Sequence, residues 1–189
     1  MKNRISLTAG CLGLLLTISC GNAPKRHEAT DSAQKINEVV KPVDEKSSGF
    51  AVEAANGGMM EVAMGTLAQE KAQNKRVKDF GIMMVNDHSK ANDELKELAG
   101  HKGITLPASV DPAEQKHIDE LSKKTGKDFD KAYIDMMVDD HNKDVKAFED
   151  AAGNLPDMDV KAFASKTLPV LKVHQDSAKA IKEALKKMK

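Results

Sequence analysis

Glu61, His88, His141 and His174 are side chains capable of metal ligation or proton transfer, and each falls on the apolar stripe of a separate helical stretch. The first stripe reads Phe50, Ala54, Gly57, Glu61, Met64, Ala68, and the second Val77, Gly81, Met84, His88, Ala91, Leu95, Leu98. The third reads Ile134, Met137, His141, Asp144, Phe148, Ala151, and the fourth Val160, Ala164, Thr167, Leu171, His174, Ala178, Ile181, Leu185. Alternating steps of three and four hold a residue on one helix face. A carboxylate or imidazole on such a face is costly to bury unless something pairs with it. Converging, three neutral imidazoles and one carboxylate are a candidate ligand set for a single divalent ion such as Fe, Mn, Zn or Cu. The same residues also fit a hydrogen-bonded polar layer that fixes helix register, or a buried acid–base site.

Several neighbours bear on that choice. Asp87 and Asp140 adjoin His88 and His141 and could hold an imidazole through its other nitrogen. Gly57 and Gly58, one turn before Glu61, would leave space beside the site. Met84 and Met137 stand one turn before two of the histidines; they could offer thioethers to copper, although helical cores commonly use Met as filler. A ferritin-type dinuclear centre needs Glu-x-x-His on two helices, but Val85, Val138 and Leu171 occupy the positions three before the histidines. A mononuclear site is therefore the metal reading. Glu114 and His117 do form a Glu-x-x-His pair, yet on a short, mostly charged stretch that reads as surface. No Ser-His-Asp or Cys-His nucleophile can be assembled, and no reaction is assigned.

The elements that must position these side chains are helices. Aromatic residues make up 3% of the 189 residues and Trp is absent, whereas Ala, Lys, Glu, Asp and Met are plentiful, so an all-α domain is expected. Ser47 or Ser48 can cap a first long helix reaching Gln73, and a second follows from Asn74 to Gly100. The competing reading is one continuous helix, which would leave its stripe without partners. Asp111-Pro112 opens a short helix to about Thr125. A third long helix spans about Lys127 to Ala152, and Asp157 caps a fourth that continues to Lys187 through Pro169, where a bend is expected.

The sequence also echoes itself. Met83-Met84-Val85-Asn86-Asp87-His88 returns as Met136-Met137-Val138-Asp139-Asp140-His141, and the same shift of 53 residues carries Phe80 to Tyr133. Equivalent second and third helices are simplest if parallel, so residues 101–126 must travel back along the bundle. The expected architecture is a ferritin-like four-helix bundle over residues 47–189, with a long crossover containing a short helix between helices 2 and 3.

Ahead of the bundle, residues 1–20 combine Lys2 and Arg4, an apolar run too short to span a bilayer, and Ser19-Cys20. They resemble a bacterial lipoprotein signal peptide in which Cys20 takes the lipid, although Thr17 stands where Leu is usual. Residues 21–46 are polar, carry Pro24 and Pro42, and read as a flexible tether, with His27 idle on it. Twenty-nine basic and twenty-nine acidic residues balance, which argues against nucleic acid as a partner; the membrane is the expected one, through the lipid anchor. Both cysteines, Cys11 and Cys20, precede the folded body, so no thiolate site is available there.

The stretches Ala54-Ala55-Asn56-Gly57-Gly58-Met59-Met60-Glu61-Val62, Phe80-Gly81-Ile82-Met83-Met84-Val85-Asn86-Asp87-His88 and Leu168-Pro169-Val170-Leu171-Lys172-Val173-His174 resemble the bacterial domain-of-unknown-function family 4142. The resemblance covers about residues 48–185 and includes the Met136–His141 repeat. It implies a ferritin-like bundle and a place in the cell envelope, on the periplasmic side and at the outer membrane, and it supplies no reaction or substrate. Two functions follow as expectations. One is a lipid-anchored envelope protein that binds one ion for metal handling or oxidative-stress defence. The other is a non-catalytic structural or interaction module with a buried polar layer.

Overall fold

A computed structural model describes residues 28–188 as six helices. They are α1 (Glu28–Val40), α2 (Glu45–Lys71), α3 (Lys75–Lys102), α4 (Pro112–Ser122), α5 (Gly126–Asn154) and α6 (Met158–Lys187). The signal-like segment with Cys20, and His27, lie outside the described residues. Among the described residues no helix is long and apolar enough to cross a membrane.

The long helices pair as α2 with α3 and α5 with α6, and the pairs join through α3 against α6 and α2 against α5. The echoed residues face each other: Phe80 meets Tyr133 edge-on at 6.1 Å between ring centroids, and His88 meets His141 at 5.8 Å. Both contacts keep the offset of 53 residues, so α3 and α5 run in the same direction.

The core is in two parts. One contains Met64, Phe80, Met84, Phe129, Tyr133 and Met137; the other contains Ala51, Leu95, Val145, Phe148, Phe163 and Leu171. Glu61, His88, His141 and His174 are buried at the level between them. On α2 the expected stripe holds from Glu61 onward. In its first half Ala51, Val52 and Ala55 are buried instead, while Phe50, Ala54 and Gly57 line a cavity, because α1 packs on the other face.

The break between α2 and α3 falls at residues 72–74 and is held from outside. Asp130 of α5 accepts the backbone N–H of Gln73 at 3.0 Å through Oδ1 and that of Asn74 at 2.8 Å through Oδ2. Asn74 in turn caps α3 by accepting from the Arg76 N–H. One continuous helix over this stretch is thereby excluded.

The tether expected over residues 21–46 is corrected by α1, which occupies Glu28–Val40 and buries Thr30, Ala33 and Asn37. Polar composition conceals it, because its inward residues are small or hydrogen-bonded rather than large and apolar. Buried Asp111, at the start of α4, accepts from the N–H of Ala29 and Thr30 through Oδ1 and from Thr30 Oγ1 through Oδ2. A carboxylate there serves two of the N–H groups that the first turn cannot satisfy within the helix, and it meets the positive end of the α1 dipole. Farther along, the Asn37 amide brackets the backbone of Thr105, donating to its carbonyl and accepting from its N–H.

Close approach of α2 and α3 depends on glycine. A Cβ on Gly81 would come within 2.7 Å of Ala68 Cβ and 2.9 Å of the Gly65 carbonyl oxygen, whereas one on Gly57 would meet nothing within 4 Å. Gly81→Ala should therefore destabilise by about 1–3 kcal/mol through overpacking. Gly57→Ala should be neutral or stabilise by up to about 1 kcal/mol through helix propensity. Urea midpoints of the two variants check this: equal midpoints would mean that the glycine crossing does not constrain the pair.

Candidate metal centre

Each of the four long helices delivers one predicted side chain to the polar layer: Glu61 from α2, His88 from α3, His141 from α5 and His174 from α6. They are 3%, 6%, 0% and 1% exposed, so none can rely on water to satisfy it. The structure brings all four together, as two overlapping triplets rather than one set. One ring nitrogen from each of His88, His141 and His174 lies within 4.8 Å of the others; a second cluster of the same tightness joins Glu61 and His141 to Asp144.

One nitrogen of each imidazole is already engaged. His88 Nδ1 donates to Glu61 Oε2 at 2.9 Å, His141 Nδ1 to the Met137 carbonyl at 3.0 Å, and His174 Nε2 to Asp87 Oδ2 at 2.8 Å. Burial lowers the pKa of His88 and of His141 to about 4 and also lowers that of His174, so at neutral pH each ring carries one proton. With that proton on the engaged nitrogen, the other nitrogen presents a lone pair. His141 Nε2 then faces His174 Nδ1 at 3.3 Å, acceptor to acceptor, and His88 Nε2 has no hydrogen-bond partner among the described residues. A carboxylate or carbonyl behind each imidazole is how metal-binding histidines are held and their tautomers fixed.

The carboxylates complete the picture. Glu61 Oε2 is used by His88, while Oε1 lies 3.5 Å from His141 Nε2 and has no hydrogen-bond partner. Burial raises the Glu61 pKa to about 7, a shift that the nearby His141 opposes. Asp144, clustered with Glu61 and His141, is pushed up to about 9 by burial and then by the charge of Glu61, so it keeps its proton at neutral pH. Asp144 was legible only as a stripe member three residues after His141, and its place beside Glu61 is visible in the fold alone.

Asp87 and Asp140 part company. Successive residues on a helix point about 100° apart, so Asp87 cannot turn back to His88 and reaches across to His174 on α6. Asp140 holds no imidazole: its nearest ion-pair partner is Lys143 Nζ at 3.6 Å, and it lines the adjoining cavity. Met84 and Met137 are fully buried within one apolar half, filling it as methionines do. Tyr133 is also fully buried in that half, stacked on Phe129, and its hydroxyl has no partner; burial, then the Glu61 charge, raises its pKa. Gly57 opens onto the cavity as expected, whereas Gly58 abuts the Asn92 side chain.

A family model described as a domain of unknown function (DUF4142) matches residues 31–181. No curated protein matches the chain. Among solved structures, the chain is similar to the crystal structure of a DUF305 fragment from Deinococcus radiodurans, with a TM-score of 0.66 and 10% sequence identity over 76% of this chain and 99% of that one. At that identity the likeness shows a shared helical fold and nothing further.

The raised carboxyl pKa values have a definite sign. A carboxyl with a folded pKa above its unfolded value favours the folded state fully below the unfolded pKa, and that favour is lost as pH rises through the folded value. Glu61 completes its loss near pH 7 and the lowered histidines act only below about 6.5, which leaves Asp144 as the group acting between pH 7 and 9. The metal-free protein should lose about 2 kcal/mol over that interval, or roughly 5 °C in Tm. Asp144→Asn, which keeps the neutral shape, should remove the slope. Thermal melts in chelator across that range decide it, and a wild-type Tm that is flat from pH 7 to 9 would contradict the assignment.

Proposed function

Since the chain belongs to the DUF4142 family of domains of unknown function, whose description names no activity, we propose its function from the site: it binds one divalent metal ion through His88, His141 and His174, with Glu61 Oε1 as an additional donor. The observation that carries this reading is the set of three buried imidazoles that each bring one ring nitrogen within 4.8 Å of the others, each ring being held through one nitrogen by a carboxylate or carbonyl acceptor. A layer serving only to fix register would be expected to satisfy its own polar atoms. Here His88 Nε2 and Glu61 Oε1 are left over, and an ion would satisfy both.

Three imidazoles suit Zn, Cu or Fe better than Mn. The ion would supply Lewis acidity and, as Cu or Fe, redox capacity. The residues do the holding: Asp87, Glu61 and the Met137 carbonyl aim the rings, and the two apolar halves keep bulk water from the buried nitrogens. The biological reading is metal handling or oxidative-stress defence in the cell envelope. The bundle belongs to the ferritin-like class, with residues 103–125 as the crossover; the parallel course of α3 and α5 supports this. Cys20 carries the lipid and places the protein on the periplasmic side of the outer membrane, a reading supported by the signal-like segment alone.

Protein purified without a histidine tag or chelator should carry one ion per chain by elemental analysis, and His141→Ala should abolish it. Asp87→Asn should weaken affinity by about 10–100-fold by releasing His174. A metal-free wild type whose Tm is unmoved by added Zn, Cu or Fe would sink the proposal and leave a structural polar layer in its place.

A further inference from the structure

The site has an acidic forecourt. A cavity of about 500 Å³ lies between α2, α3, α4, α5 and α6, and its walls include the buried Glu61 and His88. Four further carboxylates line it, Glu53, Glu114, Asp139 and Asp140, together with the protonated Asp144, against Lys143 and His117. The Glu114–His117 pair that reads as surface decoration in the sequence thus sits on the cavity wall, and Glu114 Oε2 is buried without a hydrogen-bond partner among the described residues. An acidic cluster alone would say little. Here it ends on an independent feature: His88, 6% exposed, whose Nε2 is unpartnered and which itself lines the cavity.

We propose that this cavity is the route by which a free divalent cation reaches the histidines, with α4 forming its wall and the carboxylates drawing the ion inward as they replace its hydration water. This rests on the metal-binding reading above and adds the form of the cargo: an aquated cation, not an anionic chelate. A cleft of one charge sign between low-dielectric walls concentrates ions of the opposite sign and speeds their association. Gly57 provides the clearance, since it lines the cavity and has no heavy atom within 4 Å of where its Cβ would stand.

The test is stopped-flow uptake of Zn²⁺ and, separately, Cu²⁺ by chelator-stripped full-length protein, with dissociation constants measured in parallel. Gly57→Leu should slow uptake and release together by about 10-fold or more while the dissociation constant changes less than about 3-fold, because it obstructs the path and leaves the ligands alone. The Glu114→Gln/Asp139→Asn double variant should load about 10-fold more slowly at low ionic strength. Added salt should slow the wild type more than that variant. Uptake at wild-type rates in both variants would overturn the route while leaving metal binding intact. No uptake by the wild type would overturn both.

Discussion

The cost of taking a carboxylate and three imidazoles out of water governs this molecule. An unpaired polar group in an apolar interior costs on the order of several kcal/mol, and four such groups share one level of the bundle between two apolar half-cores. The fold answers with acceptors: Glu61 behind His88, the Met137 carbonyl behind His141, and Asp87 behind His174. Each acceptor fixes one proton and thereby frees one lone pair. The arrangement that lowers the burial cost is thus the one that prepares a cation site.

Control from a distance recurs in the fold. Asp130 of α5 secures the turn between α2 and α3, and Asp111, leading into α4, secures the start of α1. Both are buried carboxylates spent on backbone N–H groups far away in sequence. Asp111 is in turn oriented by Asn56 of α2, whose Oδ1 accepts its N–H, so α1, α2 and the connection before α4 are fastened at one point. Asn56 is the residue next to Gly57 and itself lines the cavity, which couples the cover of the bundle to the surroundings of the site.

The long helices and their inward ligands were legible in the sequence because both follow the helical period, and an inward His or Glu stands out on an otherwise apolar stripe. The internal echo was equally legible, and the paired rings of Phe80 with Tyr133 and His88 with His141 give it a physical meaning across the bundle. What escaped depends on partners supplied by other elements. α1 buries only the small or polar residues Thr30, Ala33 and Asn37, and its first N–H groups are met by Asp111, more than 80 positions away. Asp87 was read with its neighbour in sequence, whereas helix geometry turns it toward a different histidine. Asp144 lay in plain view on the stripe, but nothing in the spacing says that it comes beside Glu61.

Tyr133 has an optical consequence. It is the one tyrosine in a chain without tryptophan, and it is enclosed with Phe80 and Phe129 in one of the two half-cores. Tyrosine emission therefore has a single source, located on one side of the polar layer. Loosening of the other half, where α1 and the Phe50–Phe148 pair reside, would be silent to that probe. Agreement between emission and circular dichroism during unfolding would then report whether the two halves melt as one unit across the layer that divides them.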